Sequence, residues 1–151
     1  MNKKLENKQD IKVEMKGKIM FLQAIDMSDR NLFVKLANML IRIDGVITED
    51  ERNIINAYKQ ETQLEEIFYD VNETVESIVK KISDDKVVRN IIVFELLGIA
   101  YSDANYSVEE KDFIIKICKQ LGIDELQLNN IENAVVNCIV ANQQATDIIM
   151  N

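Results

Sequence analysis

Between Lys86 and Tyr101 the chain offers almost no polar face. Val87, Val88, Ile91, Ile92, Val93, Phe94, Leu96, Leu97, Ile99 and Ala100 leave Glu95 as the one acid in mid-run. A helix that is apolar nearly all round has to be covered on most sides. The β-branched pairs would suit a strand, but the length of the run and Glu95 favour a helix. Residues 86–101 are therefore expected to form the central strut of the fold. The rest of the chain has the means to cover it with helices. It contains no proline and only four glycines, residues that cost about 3 and about 1 kcal/mol in a helix interior. A β-fold would need more turn formers than these.

The apolar spacing divides the chain into further helical pieces. Ile11, Met15, Ile19, Leu22 and Ile25 fall on a helical repeat from Ile11 to about Met27. Ser28-Asp29 reads as an N-cap, followed by a helix to about Ile43 with Leu32, Phe33, Leu36, Ala37, Leu40 and Ile43 on one stripe. Thr48 opens a helix to about Glu61, with Ile54, Ile55 and Tyr58 inward. Shorter pieces are expected over 64–69 and 74–82, and Ser83-Asp84-Asp85 caps the strut. Ser107 opens a helix with Phe113, Ile114, Ile117 and Leu121 inward, ended by Gly122. Asp124 caps a last region whose apolar side is Leu126, Leu128, Ile131, Ala134, Val135, Cys138, Ile139 and Ile148, with a break at Asn129-Asn130. The expected architecture is all-α: a compact bundle of about seven to eight helices around 86–101. At 151 residues with no Gly/Ser or Pro linker, one domain is the simplest division. It spans 19–151, behind a Lys-rich, loosely held leader at 1–18.

Composition excludes several kinds of chemistry. There is no histidine, so there is no imidazole base and no zinc site built on imidazole. The net charge of −8 argues against nucleic acid, whose phosphates it would repel. That charge is uneven: residues 1–18 carry +3 and the remainder −11. The leader is thus the one segment suited to weak contact with an anionic membrane surface. Cys118 and Cys138, the only cysteines, are expected as small buried residues of a reducing cytosol. The apolar stretch 19–25 is too short to span a bilayer, which takes about 20 residues, and has no cleavage pattern of a signal peptide.

Two acidic turns carry the remaining signal. Asp44-Gly45-Val46-Ile47-Thr48-Glu49-Asp50-Glu51 is echoed 59 residues later by Asp103-Ala104-Asn105-Tyr106-Ser107-Val108-Glu109-Glu110. Each follows an apolar helix and opens another, which predicts two helix–acidic turn–helix halves related by an approximate two-fold. Thr48 with Glu51 and Ser107 with Glu110 fit a capping box, in which the hydroxyl accepts a backbone N–H and the acid reaches back. Capping does not account for Asp44 and Asp103, which precede the turns at matching positions. With Asp44 at position 5 of an EF-hand loop, Gly45, Ile47 and Glu51 fall where that loop has glycine, an apolar residue and its last ligand. Positions 1 and 3 become Leu40 and Arg42, and in the second copy Ile99 and Tyr101, none of them oxygen ligands. Neither turn wraps a cation alone, so any site is shared between them. An all-oxygen set favours Ca²⁺, Mg²⁺ or Mn²⁺, and clustered carboxylates that repel one another would be relieved by such an ion.

The pattern Asp44-Gly45-x-Ile47-Thr48-x-x-Glu51-x-x-x-Ile55 and its echo from Ser102-Asp103 to Leu121-Gly122-Ile123 resemble the TerB family. That family is named for tellurite resistance and is related to a module of a membrane-anchored DnaJ-like co-chaperone. The resemblance covers roughly residues 29–140. It implies an all-helical bundle with two pseudo-symmetric halves and a cation site of clustered acids, which by position are Asp44, Glu51, Asp103 and Glu110. Ala104-Asn105 stand where the first copy has Gly45-Val46, a departure in the second half-site.

The expected function is a non-enzymatic cytosolic stress-response module that holds a divalent cation and engages partner proteins. The alternative is a pure interaction scaffold whose acidic turns only cap helices, with the outer side of the last helix or the leader as contact. A metal-dependent hydrolase ranks third, since the chain has no histidine, no phosphate-cradling glycine loop and no nucleophile beside a base. Glu95 is expected to find an Arg or Lys partner or to emerge at a packing gap.

Overall fold

The computed structural model describes residues 21–43, 49, 52, 53, 56, 57, 60, 73–102 and 106–151. Among them are five bounded α-helices: α1 (Met27–Ile41), α2 (Val75–Lys81), α3 (Lys86–Ala100), α4 (Val108–Leu121) and α5 (Glu125–Met150). A 3₁₀ turn at Leu22–Ala24 precedes them, and the described residues include no strand. Glu49, Arg52, Asn53, Asn56, Ala57 and Gln60 are also helical, in the stretch expected to run from Thr48 to about Glu61. The start of that helix, its stripe Ile54, Ile55 and Tyr58, the piece at 64–69 and the leader 1–18 all lie outside the described residues.

Helix α3 is the strut. It packs against α1, α4, α5 and the 3₁₀ turn, while α2 bridges α1 and α4. Ile92, Val93, Leu96 and Leu97 on α3 are fully shielded from solvent, and each side chain so buried contributes about 1.5–3 kcal/mol. Asp85 starts the helix by accepting the Val87 N–H at 2.8 Å. Arg89 ties its first turn to its surroundings, donating to the Ser83 carbonyl, the Leu121 carbonyl and the Asp84 carboxylate. The C-terminus of α4 is closed by Gly122 at φ 73°. The Ile123 N–H reaches back to the Cys118 carbonyl and the Gly122 N–H to that of Lys119, a Schellman closure that needs a residue comfortable at positive φ.

Helices α1 and α3 match residue for residue at the 59-residue offset. Both are 15 residues long and start after an aspartate, Asp26 or Asp85. Leu32, Phe33, Val34, Leu36, Ala37, Asn38, Leu40 and Ile41 are buried on α1. The buried set on α3 is Ile91, Ile92, Val93, Glu95, Leu96, Leu97, Ile99 and Ala100, the same eight positions; α1 buries Asp29 in addition, where α3 has the half-buried Val88. Arg30 and Arg89, also a matched pair, each send their Nε to a backbone carbonyl just upstream, of Ile25 and Ser83. Asn31 and Asn90 both hold a buried side-chain oxygen with no hydrogen-bond partner.

Several expectations are corrected. The helical repeat from Ile11 does not carry an α-helix to Met27: after the 3₁₀ turn, Ile25 and Asp26 are extended. Arg30 holds the carbonyls of Gln23 and Ile25 there, taking the acceptors that a continuing helix would use internally. Ser28-Asp29 is no N-cap, because α1 begins at Met27 behind Asp26. Asp29 is instead buried and accepts the Ser83 N–H at 3.1 Å, linking α1 to the approach to α3. Glu95 does not emerge at a gap; it is 1% exposed and accepts the backbone N–H of Phe21 at 2.8 Å. Nor does the last helix break at Asn129-Asn130, since α5 runs unbroken from 125 to 150. Both asparagines face solvent, where their helix penalty of about 0.7 kcal/mol or less is outweighed by Ile131 and Val135 anchoring the next turns. The apolar side of α5 is largely unburied: Leu126, Ala134, Ile139 and Ile148 are exposed, and Cys138 is only half-buried.

If α3 is the strut, Leu96→Ala should lower unfolding free energy by about 2–5 kcal/mol. Val87→Ala, at a position 64% exposed, should stay within roughly 0.5 kcal/mol. Urea denaturation of the two variants measures both.

Candidate functional site: the second acidic turn

Helix α3 stops where its last carbonyls find local donors. The Tyr101 N–H bonds the Leu97 carbonyl at 2.9 Å, and the Ser102 hydroxyl donates to the Ile99 carbonyl at 2.7 Å. On the far side of the turn, Ser107 accepts the Glu110 N–H at 3.2 Å and opens α4. The hydroxyl half of the expected capping box is thus present. Glu109 is exposed, whereas Glu110 is only 6% exposed and lies in the first turn, where the helix dipole favours a carboxylate.

Two tyrosines clasp the turn. The Tyr101 and Tyr106 rings lie 4.8 Å apart at 40°, and the Tyr101 hydroxyl donates to Glu132 Oε1 on α5 at 2.6 Å. Burial, then the bond to Glu132, pushes the Tyr101 phenol up to about 12. Tyr106 is raised as well, first by burial and then by the negative charge of Glu132, with Glu110 adding to it. Both carboxylates therefore act on the same ring. Behind them, burial pushes the Cys118 thiol up to about 12, which makes it an inert core residue.

Of the four acids expected to converge, the structure places Glu110 in this turn. Asp44, Glu51 and Asp103 lie outside the described residues. Among the described residues no three acidic, histidine or cysteine side chains gather closely enough to hold a metal ion. Glu132 is the residue that sequence reasoning missed. A signal was available: it stands 59 positions after Glu73, the same offset as the turns. The two environments differ. Glu73 is paired with Lys35 at 2.9 Å and Lys81 at 3.6 Å, whereas Glu132 bonds a tyrosine. An open cleft of about 490 Å³ lies against the N-terminal ends of α3 and α5, lined by Lys86, Arg89, Leu126 and Gln127 among others. It is formed by the opposite end of α3 from the acidic turn. Among the described residues no helix is long and apolar enough to cross a membrane.

A family model described as tellurite resistance protein TerB matches residues 30–133. The chain belongs to the TerB family. Searches of curated proteins and of solved structures return no match. The TerB match runs from the first turn of α1 through both acidic turns and just past Glu132. It leaves out the leader and the outer half of α5.

The raised phenol has a definite pH consequence. Folding favours the neutral form of Tyr101, so its contribution is complete below the ordinary tyrosine value of about 10 and is lost as pH rises through about 12. Near-ultraviolet phenolate absorbance of the folded protein should show late ionisation, and Tyr101→Phe should reduce its amplitude by one tyrosine while that of Tyr106 remains. The thiols should also separate: a disulfide reagent should modify half-buried Cys138 first and reach Cys118 only on unfolding.

Proposed function

We propose that this TerB-family chain is a non-enzymatic, cytosolic stress-response module of the tellurite-resistance type. It holds a divalent cation between its two acidic turns, through Asp44, Glu51, Asp103 and Glu110, and engages partner proteins. The observation that carries the reading is the shared register of α1 and α3. Their C-caps, Arg42 and Tyr101, have nearly the same backbone angles (φ −88°, ψ −3° and φ −84°, ψ −7°). Asp44 and Asp103 follow those caps by the same two residues, and Glu51 and Glu110 follow by the same nine. Capping gives no reason for an aspartate at that step in both copies. Oxygen-only ligation by carboxylates points to Ca²⁺, Mg²⁺ or Mn²⁺. A non-enzymatic role agrees with a chain lacking histidine and any glycine-rich phosphate loop.

The interaction half of the reading has its own support. The outer part of α5 leaves Ile139, Val140, Ile148, Ile149 and Met150 between 42% and 79% exposed. Such a surface also favours the second reading, an interaction scaffold in which the acidic turns only cap helices.

Melting temperature in the presence of each cation separates the two. A ligand held only by the folded state stabilises it by about 2.7 kcal/mol at 100 times its Kd, roughly 5–10 °C for a chain of this size. Ca²⁺, Mg²⁺ or Mn²⁺ at millimolar concentration should raise the melting temperature, and Asp44→Asn with Asp103→Asn should abolish the rise. A flat response to all three ions in the parent chain would eliminate the cation site and leave the scaffold.

A further inference from the structure

We infer that Glu132, on α5, is a positioning residue for the second acidic turn. It acts through Tyr101 rather than as a ligand. The inference rests on reading the acidic turns as a cation site, and the geometry adds three observations to that reading. Tyr101 is the C-cap of α3 and so marks where the turn begins; its hydroxyl donates to Glu132 Oε1 at 2.6 Å, across 31 residues of sequence. Tyr106 is the last residue before the Ser107 cap and so marks where the turn ends; its ring rests on that of Tyr101 at 4.8 Å. Glu132 sits on the α5 segment next to Ile131, which is buried in the core. The two edges of the turn are thereby held to each other and, through one hydrogen bond, to α5, which packs along α3. Asp103 lies inside the clasped interval, and Glu110 lies one helical turn beyond it.

The other half of the molecule makes the assignment specific. At the 59-residue offset Glu132 corresponds to Glu73, and Tyr101 to Arg42. Glu73 is neutralised by Lys35 and Lys81, while Glu132 makes no ion pair with a lysine or arginine among the described residues. The same place in the repeat thus holds an ion pair in one half and a tyrosine–carboxylate bond, clasping a turn, in the other.

The role turns on a hydrogen-bond acceptor, not on charge, and that separates it from ligation. Three variants of the full chain test it: Glu132→Ala removes the acceptor, Tyr101→Phe removes the donor, and Glu132→Gln keeps a neutral acceptor. In the metal-free protein, amide exchange at Ser102, Tyr106 and Ser107 should accelerate about tenfold or more in the Ala and Phe variants and stay near the parent rate in the Gln variant. Amides in the middle of α1 should not change. Cation affinity, measured by calorimetry with Ca²⁺, Mg²⁺ and Mn²⁺, should fall about tenfold or more in the first two, as when a residue that orients a ligand is removed, and be largely kept in the third. Unchanged turn exchange in Tyr101→Phe overturns the inference, even if Glu132→Ala fails to fold. Equal loss of affinity in the Gln and Ala variants overturns it in favour of direct ligation. If the parent chain binds none of the three ions, the cation reading fails, and the exchange rates still decide whether Glu132 holds the turn.

Discussion

Helix α3 cannot face water on any broad side, and the arrangement of the molecule follows from that constraint. Its eight buried positions run from Ile91 to Ala100, covering more of the circumference than one neighbour can shield. Helices α1, α4 and α5 and the 3₁₀ turn divide the task. The short α2 then closes the space between α1 and α4, burying only Ile78 and Val79. The caps keep each helix from running past the place where it is needed. Asp85, Ser107 and Asp124 each supply an acceptor at the start, and Gly122 turns the chain back at the end of α4. Loss of packing on α3 would therefore be felt by every element that touches it.

Two of the carboxylates left in this core are satisfied in the same way. Asp29 and Glu95 are both buried, and burying a carboxylate is costly without a partner. Each accepts a backbone N–H from a segment outside its own helix, Ser83 for Asp29 and Phe21 for Glu95. The repeat makes the case of Glu95 plain. Its counterpart on α1 is Leu36, fully buried and apolar. A carboxylate stands in its place where the Phe21 backbone N–H comes against α3. Phe21 is held there a second time by its edge-on contact with Phe94, at 5.2 Å.

Much of this was legible in residue order, because it rests on local chemistry. The apolar run placed α3, the hydroxyl and aspartate caps placed the starts of α3, α4 and α5, and Gly122 placed the end of α4. The misreadings share a cause: the deciding partner is distant in sequence. Spacing alone cannot show that Arg30 takes the carbonyls that would have continued a helix through Ile25, or that Asp29 serves Ser83, 54 residues away. The apolar stripe of α5 was real as a pattern, yet the bundle covers it only around Ile131 and Val135. Periodicity records which face is apolar, not how far its covering extends. Of the candidate site, the spacing of the acids was readable, but the Tyr101–Glu132 bond was not, since nothing local links a tyrosine at a helix end to a glutamate on another helix.

The two halves are alike in backbone and unlike in charge. Matched helices share eight buried positions, and beyond exchanges such as Leu36 for Glu95 the halves differ in what surrounds them. Glu73 sits between two ammonium groups, so the field it adds to the first half is largely cancelled. Glu132 instead accepts the Tyr101 hydroxyl, whose ring lies against that of Tyr106. The second turn is therefore the one joined to α5 by a hydrogen bond, where the first half has an ion pair. It is also the side where Ala104 has replaced the loop glycine. The hydrogen bond to Glu132 on α5 comes from Tyr101, at the edge of that same turn. The copy of the motif that departs further from the pattern is thus the one hydrogen-bonded to a residue outside the motif, because its edge residue is a tyrosine where the first copy has Arg42.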